Sequence, residues 1–323
     1  MSWTKWFAIL TLAFIAAGTP PLAVAGPYPE KPIEFVTHSA PGGGGDIFSR
    51  HIANLMEKEK IIPVPLVVVN KSGGSGAVGV SYVAPKKGES YTIFATSPGI
   101  YATLVKGEVK ASIEDFTPIC ALIQDPNVLV VRGNAPYKNV KEFIAEAGKK
   151  RKGLSLGLSS IGGGDHAITV KMGEAKGVEF NIVSFKQGTE AIMAVMGGHV
   201  DFGLGNPGET AGQIESGQLR VLATATDKRI PQMPNVPTLK EEGIDVSYTS
   251  IRGIFGPKDM PKDVVKYWES AFQKLTQTSS WKQYLEKEVV LDAFMGSAEF
   301  GKFFDKELPR LRGDLVRFGL VKK

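Results

Sequence analysis

A single cysteine, Cys120, in 323 residues excludes an intramolecular disulfide and a metal site built on thiolates. Its expected role is a buried structural thiol. Histidine is scarce as well: His38, His51, His166 and His199 are the four. None sits in the context of a Ser-His-acid triad, and none has a second histidine at ligand spacing, so no metal is expected. Beyond residue 25 no apolar run approaches the ~20 residues of a membrane-spanning helix. Charge is nowhere concentrated: 38 Lys and Arg stand against 33 Asp and Glu, a formal net charge of +5. The one basic run, Lys149-Lys150-Arg151-Lys152, lacks interleaved aromatics and reads as a helix end, so nucleic acid is not an expected partner. No Gly-Lys-Ser/Thr follows either glycine run, which excludes a Walker loop, and no cofactor is expected.

What the chain has in quantity is glycine, 37 residues. Two runs each fall between a stretch that reads as a strand and one that reads as a helix. The first is Ser39-Ala40-Pro41-Gly42-Gly43-Gly44-Gly45-Asp46, the second Ser159-Ser160-Ile161-Gly162-Gly163-Gly164-Asp165-His166. Without Cβ atoms such turns bend tightly and bring backbone N–H groups close to a ligand. Placed ahead of a helix, those groups and the helix dipole favour an anion. Two such turns in two halves of one chain point to a clamp for a carboxylate-like ligand. Asp46, before Ile47-Phe48, is expected as a helix N-cap, and His166 as a helix-start histidine bonded locally or to ligand.

The first 25 residues read as an export signal. Lys5 supplies the basic segment, residues 7–17 the short apolar core, and Ala23-Val24-Ala25 the small-residue cleavage pattern. About 298 residues then remain (323 minus 25), which by the ~150-per-domain prior gives two lobes. Strands are expected at residues 33–37, 65–69, 91–95, 127–131, 155–158, 180–183, 199–204 and 220–224. Helical stripes place Ile52 with Leu55 and Met56, Ile168 with Met172, and Ile192 with Val195 and Met196 on single faces. Two late stripes are Val264, Trp268, Phe272, Leu275 and, with a kink at Pro309, Phe300, Phe303, Phe304, Leu311, Leu315. Strands alternating with helices predict an α/β fold with parallel sheets, whose ligands collect beyond the carboxyl ends of the strands. The expected division is residues 26–126 with 226–323 in one lobe and 127–225 in the other.

Taken together, Ala40-Pro41-Gly42-Gly43-Gly44-Gly45-Asp46, Asn127-Val128-Leu129-Val130-Val131, Gly197-Gly198-His199-Val200-Asp201, Leu219-Arg220-Val221-Leu222-Ala223-Thr224 and Pro234-Asn235-Val236-Pro237-Thr238-Leu239 carry a resemblance. In their order and spacing the chain resembles the substrate-binding proteins of tripartite tricarboxylate transporters, the Bug or TctC-like family of type II periplasmic binding proteins, from Tyr28 onward. The resemblance implies two lobes, each a mainly parallel sheet flanked by helices, joined by two crossovers and closing on a ligand held by backbone amides and ordered water. It implies a monomeric periplasmic protein that hands a small organic carboxylate to membrane permease subunits. By position, the ligand loops are Ser39 to Asp46 (Ala40 and Gly42 through Gly45 included) and Ser159 to His166 (Ser160, Gly162, Gly163, Gly164 and Asp165 included). Thr96, Ser97, Lys186 and Asn206 fall at positions that border the cleft.

The chain departs from the family pattern at Gly45, often Thr or Ser in relatives, and at Gly162 to Asp165, often Gly-Thr-Ser-Gln. It departs again at Gly205, where many relatives have Asp. The expectation is a less polar ligand without an ammonium group. Two other functions are alternatives to transport. A sensor reporting to a receptor kinase needs the same closed state. An exported hydrolase would use Ser75 in Gly73-Gly74-Ser75-Gly76-Ala77, which approaches a nucleophile elbow but ends in alanine.

Overall fold

The computed structural model describes residues 28–149, 153–159 and 161–322, with Thr249 described in its backbone alone. The export signal, Ser160 and residues 150–152 of the basic run lie outside the described residues.

Strands buried on both faces of a sheet read as near-continuous apolar runs. In β1 (Ile33–Thr37) Glu34 alone is not fully buried, and every residue of β3 (Thr92–Thr96) is buried. β1 pairs in parallel with β3 on one side and with β2 (Leu66–Asn70) on the other. Between these strands run α1 (Gly44–Lys58) and α2 (Ala77–Val83), and α3 (Pro98–Lys106) follows β3. α1 turns Phe48, Ile52 and Met56 to the core at helical spacing. The sheet then continues antiparallel: β10 (Thr249–Pro257) pairs with β3 and with β4 (Phe116–Pro126), and β11 (Leu291–Met295) pairs with β4. The strand order is β11-β4-β10-β3-β1-β2.

The second sheet is built from β5 (Val128–Arg132), β6 (Ser155–Leu158), β7 (Asn181–Ser184), β8 (Phe202–Gly205) and β9 (Leu219–Thr224), in the order β7-β6-β8-β5-β9. β6 is parallel to β7 and β8, and β5 is antiparallel to β8 and β9. Around it lie α4 (Val140–Lys149), α5 (Gly164–Lys176), α6 (Gly188–Met196) and α7 (Pro207–Glu215). The fold is thus α/β and two-lobed. Its sheets are mixed, because the chain passes between lobes through strands: β4 runs straight into β5, and the return from β9 ends in β10.

The stretch from Thr226 to Tyr248 belongs with the second sheet. Leu239, Ile244, Val246 and Tyr248 are buried in that lobe's core, and the Tyr248 N–H donates to Ala225 O at 2.7 Å. We therefore place the return crossing near residue 248, not at 226.

Three helices complete the first lobe: α8 (Lys262–Thr276), α9 (Ser279–Glu288) and α10 (Ser297–Arg317). Val264, Trp268, Phe272 and Leu275 of α8 are buried against the sheet beside Trp281 of α9. α10 continues through Pro309, burying Phe300, Phe304, Leu311 and Leu315. Its C-terminal end reaches the second lobe, where Asp314 accepts from Lys171 Nζ at 3.1 Å and Arg317 pairs with Glu174. Cys120 is buried within β4, and burial pushes its thiol well above the usual range.

Candidate functional site

The carboxyl ends of β1, β3, β6 and β8 open onto one cavity of about 210 Å³ between the lobes. This is the edge at which open α/β sheets collect ligands.

The first lobe supplies the loop from His38 to Gly45. Gly43 is the N-cap of α1 and has no side-chain cap. Ser39 Oγ accepts the Gly45 N–H at 3.1 Å. The Gly44 N–H has no partner among the described residues, so the positive end of α1 is presented at the cavity wall. Asp46 is not the N-cap. It lies in the first turn of α1, and its carboxylate accepts from Gly42 N–H (2.9 Å), Asn70 Nδ2 (2.8 Å) and Arg50 Nε (3.0 Å). That bracing holds the loop from behind, and neither Asp46 nor Gly42 lines the cavity. Beside the loop, Gly73, Gly74, Ser75 and Gly76 all have left-handed φ values (127°, 55°, 52° and 101°), a turn that needs its three glycines. Ser75 lines the cavity, and its carbonyl accepts from Thr103 Oγ1 at 2.7 Å.

The second lobe is built differently from the sequence expectation. Gly162 and Gly164 of its glycine run allow close packing: a Cβ on Gly162 would lie 2.5 Å from Leu315 Cδ2, and one on Gly164 would strike the Tyr248 ring. His166 does bond locally, Nδ1 accepting the Gly162 N–H at 3.0 Å, with its ring 4.8 Å from that of Phe318. Gly162, Gly163, Gly164 and His166 therefore stand behind the wall, and Ser159 and Asp165 form it. An anion-favouring helix start on this side is that of α6. Its N-cap Gln187 has no side-chain cap, and the Gly188 and Thr189 N–H groups have no partner among the described residues. Lys186, just ahead, reaches the cavity while remaining exposed. Asn206, the N-cap of α7, lines it too and donates from Nδ2 to Pro126 O at 3.1 Å. Thr96 and Ser97 are buried one layer back, Thr96 Oγ1 lying 2.9 Å from Tyr101 OH.

The charges were the least visible part of the site. Arg252 of β10, 8% exposed, donates from Nε to Asp125 Oδ2 at 2.6 Å. Its Nη2 reaches Glu209 Oε1 at 3.2 Å and Asn206 Oδ1 at 3.3 Å. Burial alone would lower its pKa, but Asp125 and Glu209 raise it above the ordinary value, so the guanidinium is a permanent cation. The contact joins the lobes, because Glu209 belongs to α7 and Arg252 to the first sheet. A Cβ on Gly44 would overlap the Glu209 carboxylate and approach Arg252 Nη2 to 2.9 Å. Burial, then Arg252, lowers the His38 imidazole to about 4, so it is neutral at pH 7 and pairs through Nε2 with Ser97 Oγ at 2.8 Å. No carboxylate partner of His38 is found among the described residues. The absence of an acid at position 205 does not leave the cavity without acids, since Asp165 and Glu209 both line it.

Sequence reasoning thus placed Ser39, Ala40, Gly43, Gly44, Gly45, Ser159, Asp165, Lys186 and Asn206 on one wall or the other. It missed His38, Gln187, Gly188, Thr189, Glu209 and Arg252. The α6 start had a signal: Lys186-Gln187-Gly188-Thr189 also follows a strand and carries a glycine. Glu209 and Arg252 had none.

A family model described as "Tripartite tricarboxylate transporter family receptor" (TctC) matches residues 48–317. A protein of Cupriavidus necator, "UPF0065 protein in gbd 5'region", is 28% identical over 316 residues, 98% of this chain and 96% of that one. Among solved structures, the periplasmic binding protein BugD is 25% identical over 92% of this chain and 100% of its own, with a TM-score of 0.84. An R. palustris protein, Rpa4515, solved with adipate, is 25% identical over 90% of this chain and 98% of its own, with a TM-score of 0.85.

Proposed function

Because the chain belongs to the tripartite tricarboxylate transporter receptor family, we propose that it captures a small organic carboxylate between its lobes. In this reading it works in the periplasm and delivers the ligand to the permease subunits of a tripartite tricarboxylate-type transporter, without chemistry. The carrying observation is the pairing of two uncapped helix starts across one cavity, Gly44 of α1 facing Gly188 and Thr189 of α6, with the Lys186 cation at the rim. A cavity of about 210 Å³ is below the ~300–1,000 Å³ of drug-sized sites, which suits an acid of a few carbons. The adipate complex of the R. palustris relative supports the same ligand class. The hydrolase reading has little to stand on: Ser75 is not paired with a histidine among the described residues, and His38 beside Ser97 has no carboxylate to orient it.

The test is a thermal-shift panel of mono-, di- and tricarboxylates, amino acids and phosphates on the purified protein. A ligand at 100 times its Kd adds ~2.7 kcal/mol, a rise of several degrees in Tm for a protein of this size. A shift confined to carboxylates supports the proposal, and a shift confined to phosphates overturns it. Lys186→Ala is expected to weaken the binding acid by about tenfold, the ~1–1.5 kcal/mol of an exposed charge-assisted hydrogen bond, measured by calorimetry.

A further inference from the structure

Asp165 is a cavity-wall carboxylate without a cation. Its Oδ1 accepts from Asn127 Nδ2 at 3.1 Å, and no Lys, Arg or His pairs with it among the described residues. The groups around it come from every neighbouring element. Glu209 of α7 adds a like charge while its own pairing is with Arg252. Asp125 is tied to the same arginine. Tyr248 packs on Gly164 with its phenol pushed up by burial. His166 is turned away toward Gly162 and Phe318, Lys171 is held by Asp314, and His38 is neutral across the cavity. Lys186 is the cavity-lining cation left for a ligand. Asn127, the one side chain that bonds Asp165 among the described residues, lies at the crossing between lobes and accepts from Ser250 Oγ at 3.4 Å.

A ligand carboxylate that reaches the α1 and α6 helix starts arrives beside this unpaired acid. Two carboxylates sharing a site do not both stay ionised. Resting on the carboxylate-capture reading, we propose that Asp165 takes one proton from solvent when the ligand binds and donates it in a hydrogen bond to a ligand carboxylate oxygen. The bond formed is one O–H on Asp165, and nothing is oxidised or reduced. Burial, then Glu209, already pushes the free carboxyl up to about 7, so near neutral pH the proton is available at little cost. The resulting O–H···O⁻ bond is of the charge-assisted kind, roughly twice as strong as a neutral one. The protein would then bind an ionised carboxylate together with a proton, and binding would weaken as pH rises because Asp165 must be protonated first.

The experiment is calorimetry with adipate, succinate and citrate between pH 6 and 8.5, in buffers of different ionisation enthalpy, on the wild-type protein and Asp165→Asn. The expected result is uptake of about one proton at pH 8 and affinity falling by about tenfold per pH unit above pH 7, with a flat profile in Asp165→Asn. Binding without proton uptake in the wild type overturns the inference even if the variant fails to fold. A pH slope that persists in Asp165→Asn also overturns it. So does tighter binding of 2-aminoadipate than adipate, which would make Asp165 an ammonium acceptor. In each of these cases the capture reading survives. Absence of binding by these acids and by every carboxylate of the thermal-shift panel instead removes the capture reading, and this step with it.

Discussion

Arg252→Met is expected to lower the melting temperature by about 6–20 °C at pH 7.5. The substitution removes the one cation between Asp125 and Glu209, the former 5% exposed in its side chain and 2.6 Å from the guanidinium. Breaking a buried ion pair from one side costs about 3–5 kcal/mol, because a desolvated charge is left behind. At ~2–4 °C per kcal/mol for a protein of this size that gives the stated range. The pH dependence has a definite sign. Burial raises the Asp125 and Glu209 carboxyls above their unfolded values, and without Arg252 the main opposing charge is gone, leaving the Asn206 hydrogen bond to Asp125. A raised carboxyl binds its proton more readily folded than unfolded, so the destabilisation grows as pH rises and shrinks toward pH 5. Replacing both partners, Arg252→Met with Asp125→Leu, is expected to recover part of the loss, since an apolar pair leaves no stranded charge. Scanning calorimetry checks all three statements. A single-variant shift under 2 °C would show that the cluster is solvated in solution.

Gly44→Val is expected to weaken ligand binding by about 10–100-fold while leaving the ligand-free protein folded. Gly44 begins α1 on the first lobe and lies against Glu209 on the second, so a side chain there opposes closure over the cavity. The Glu209 carboxylate is the mobile end of its side chain, but moving it gives up the Arg252 contact at 3.2 Å. Overpacking of this kind costs ~1–3 kcal/mol, and each 1.4 kcal/mol is tenfold in affinity. Once the lobes part, the obstacle left is Arg252 Nη2, 2.9 Å from the new Cβ and the far end of a flexible side chain, so the unliganded melting temperature should move little. Adding Glu209→Ala should restore much of the affinity, a coupling that a double-mutant cycle measures directly. Equal affinity in wild type and Gly44→Val would mean that this contact is not part of ligand capture.

The first glycine loop was legible because its residues do locally what their types prescribe. Strand 33–37 was read to the residue, and the chain must turn at Gly42 and Gly43 into a helix at Gly44. Glycine signals close approach without naming what approaches. In the first run it is the Glu209 carboxylate of the other lobe, and in the second it is Leu315 and Tyr248, so Gly162 to Gly164 were placed on a wall they only support. β4 and β10 were missed as strands because they carry Pro118, Asp125, Arg252, Gly253 and Gly256, and their pairing is interrupted by register shifts. A residue such as Arg252 reads as a surface charge until the antiparallel pairing of β10 with β4 puts it next to Asp125. The site's charges are tertiary facts: each pair spans more than forty residues of chain, and no local pattern announces it.

The central claim is that a carboxylate sits between the two uncapped helix starts. A crystal structure grown with the acid that gives the largest thermal shift tests it most directly. The account predicts ligand density with one carboxylate within hydrogen-bond distance of the Gly44 N–H on one side and another polar end at Gly188, Thr189 and Lys186 on the other, with Asp165 in contact. A ligand bound with neither α1 nor α6 contributing an N–H, or found only on the outer surface of the lobes, would contradict it.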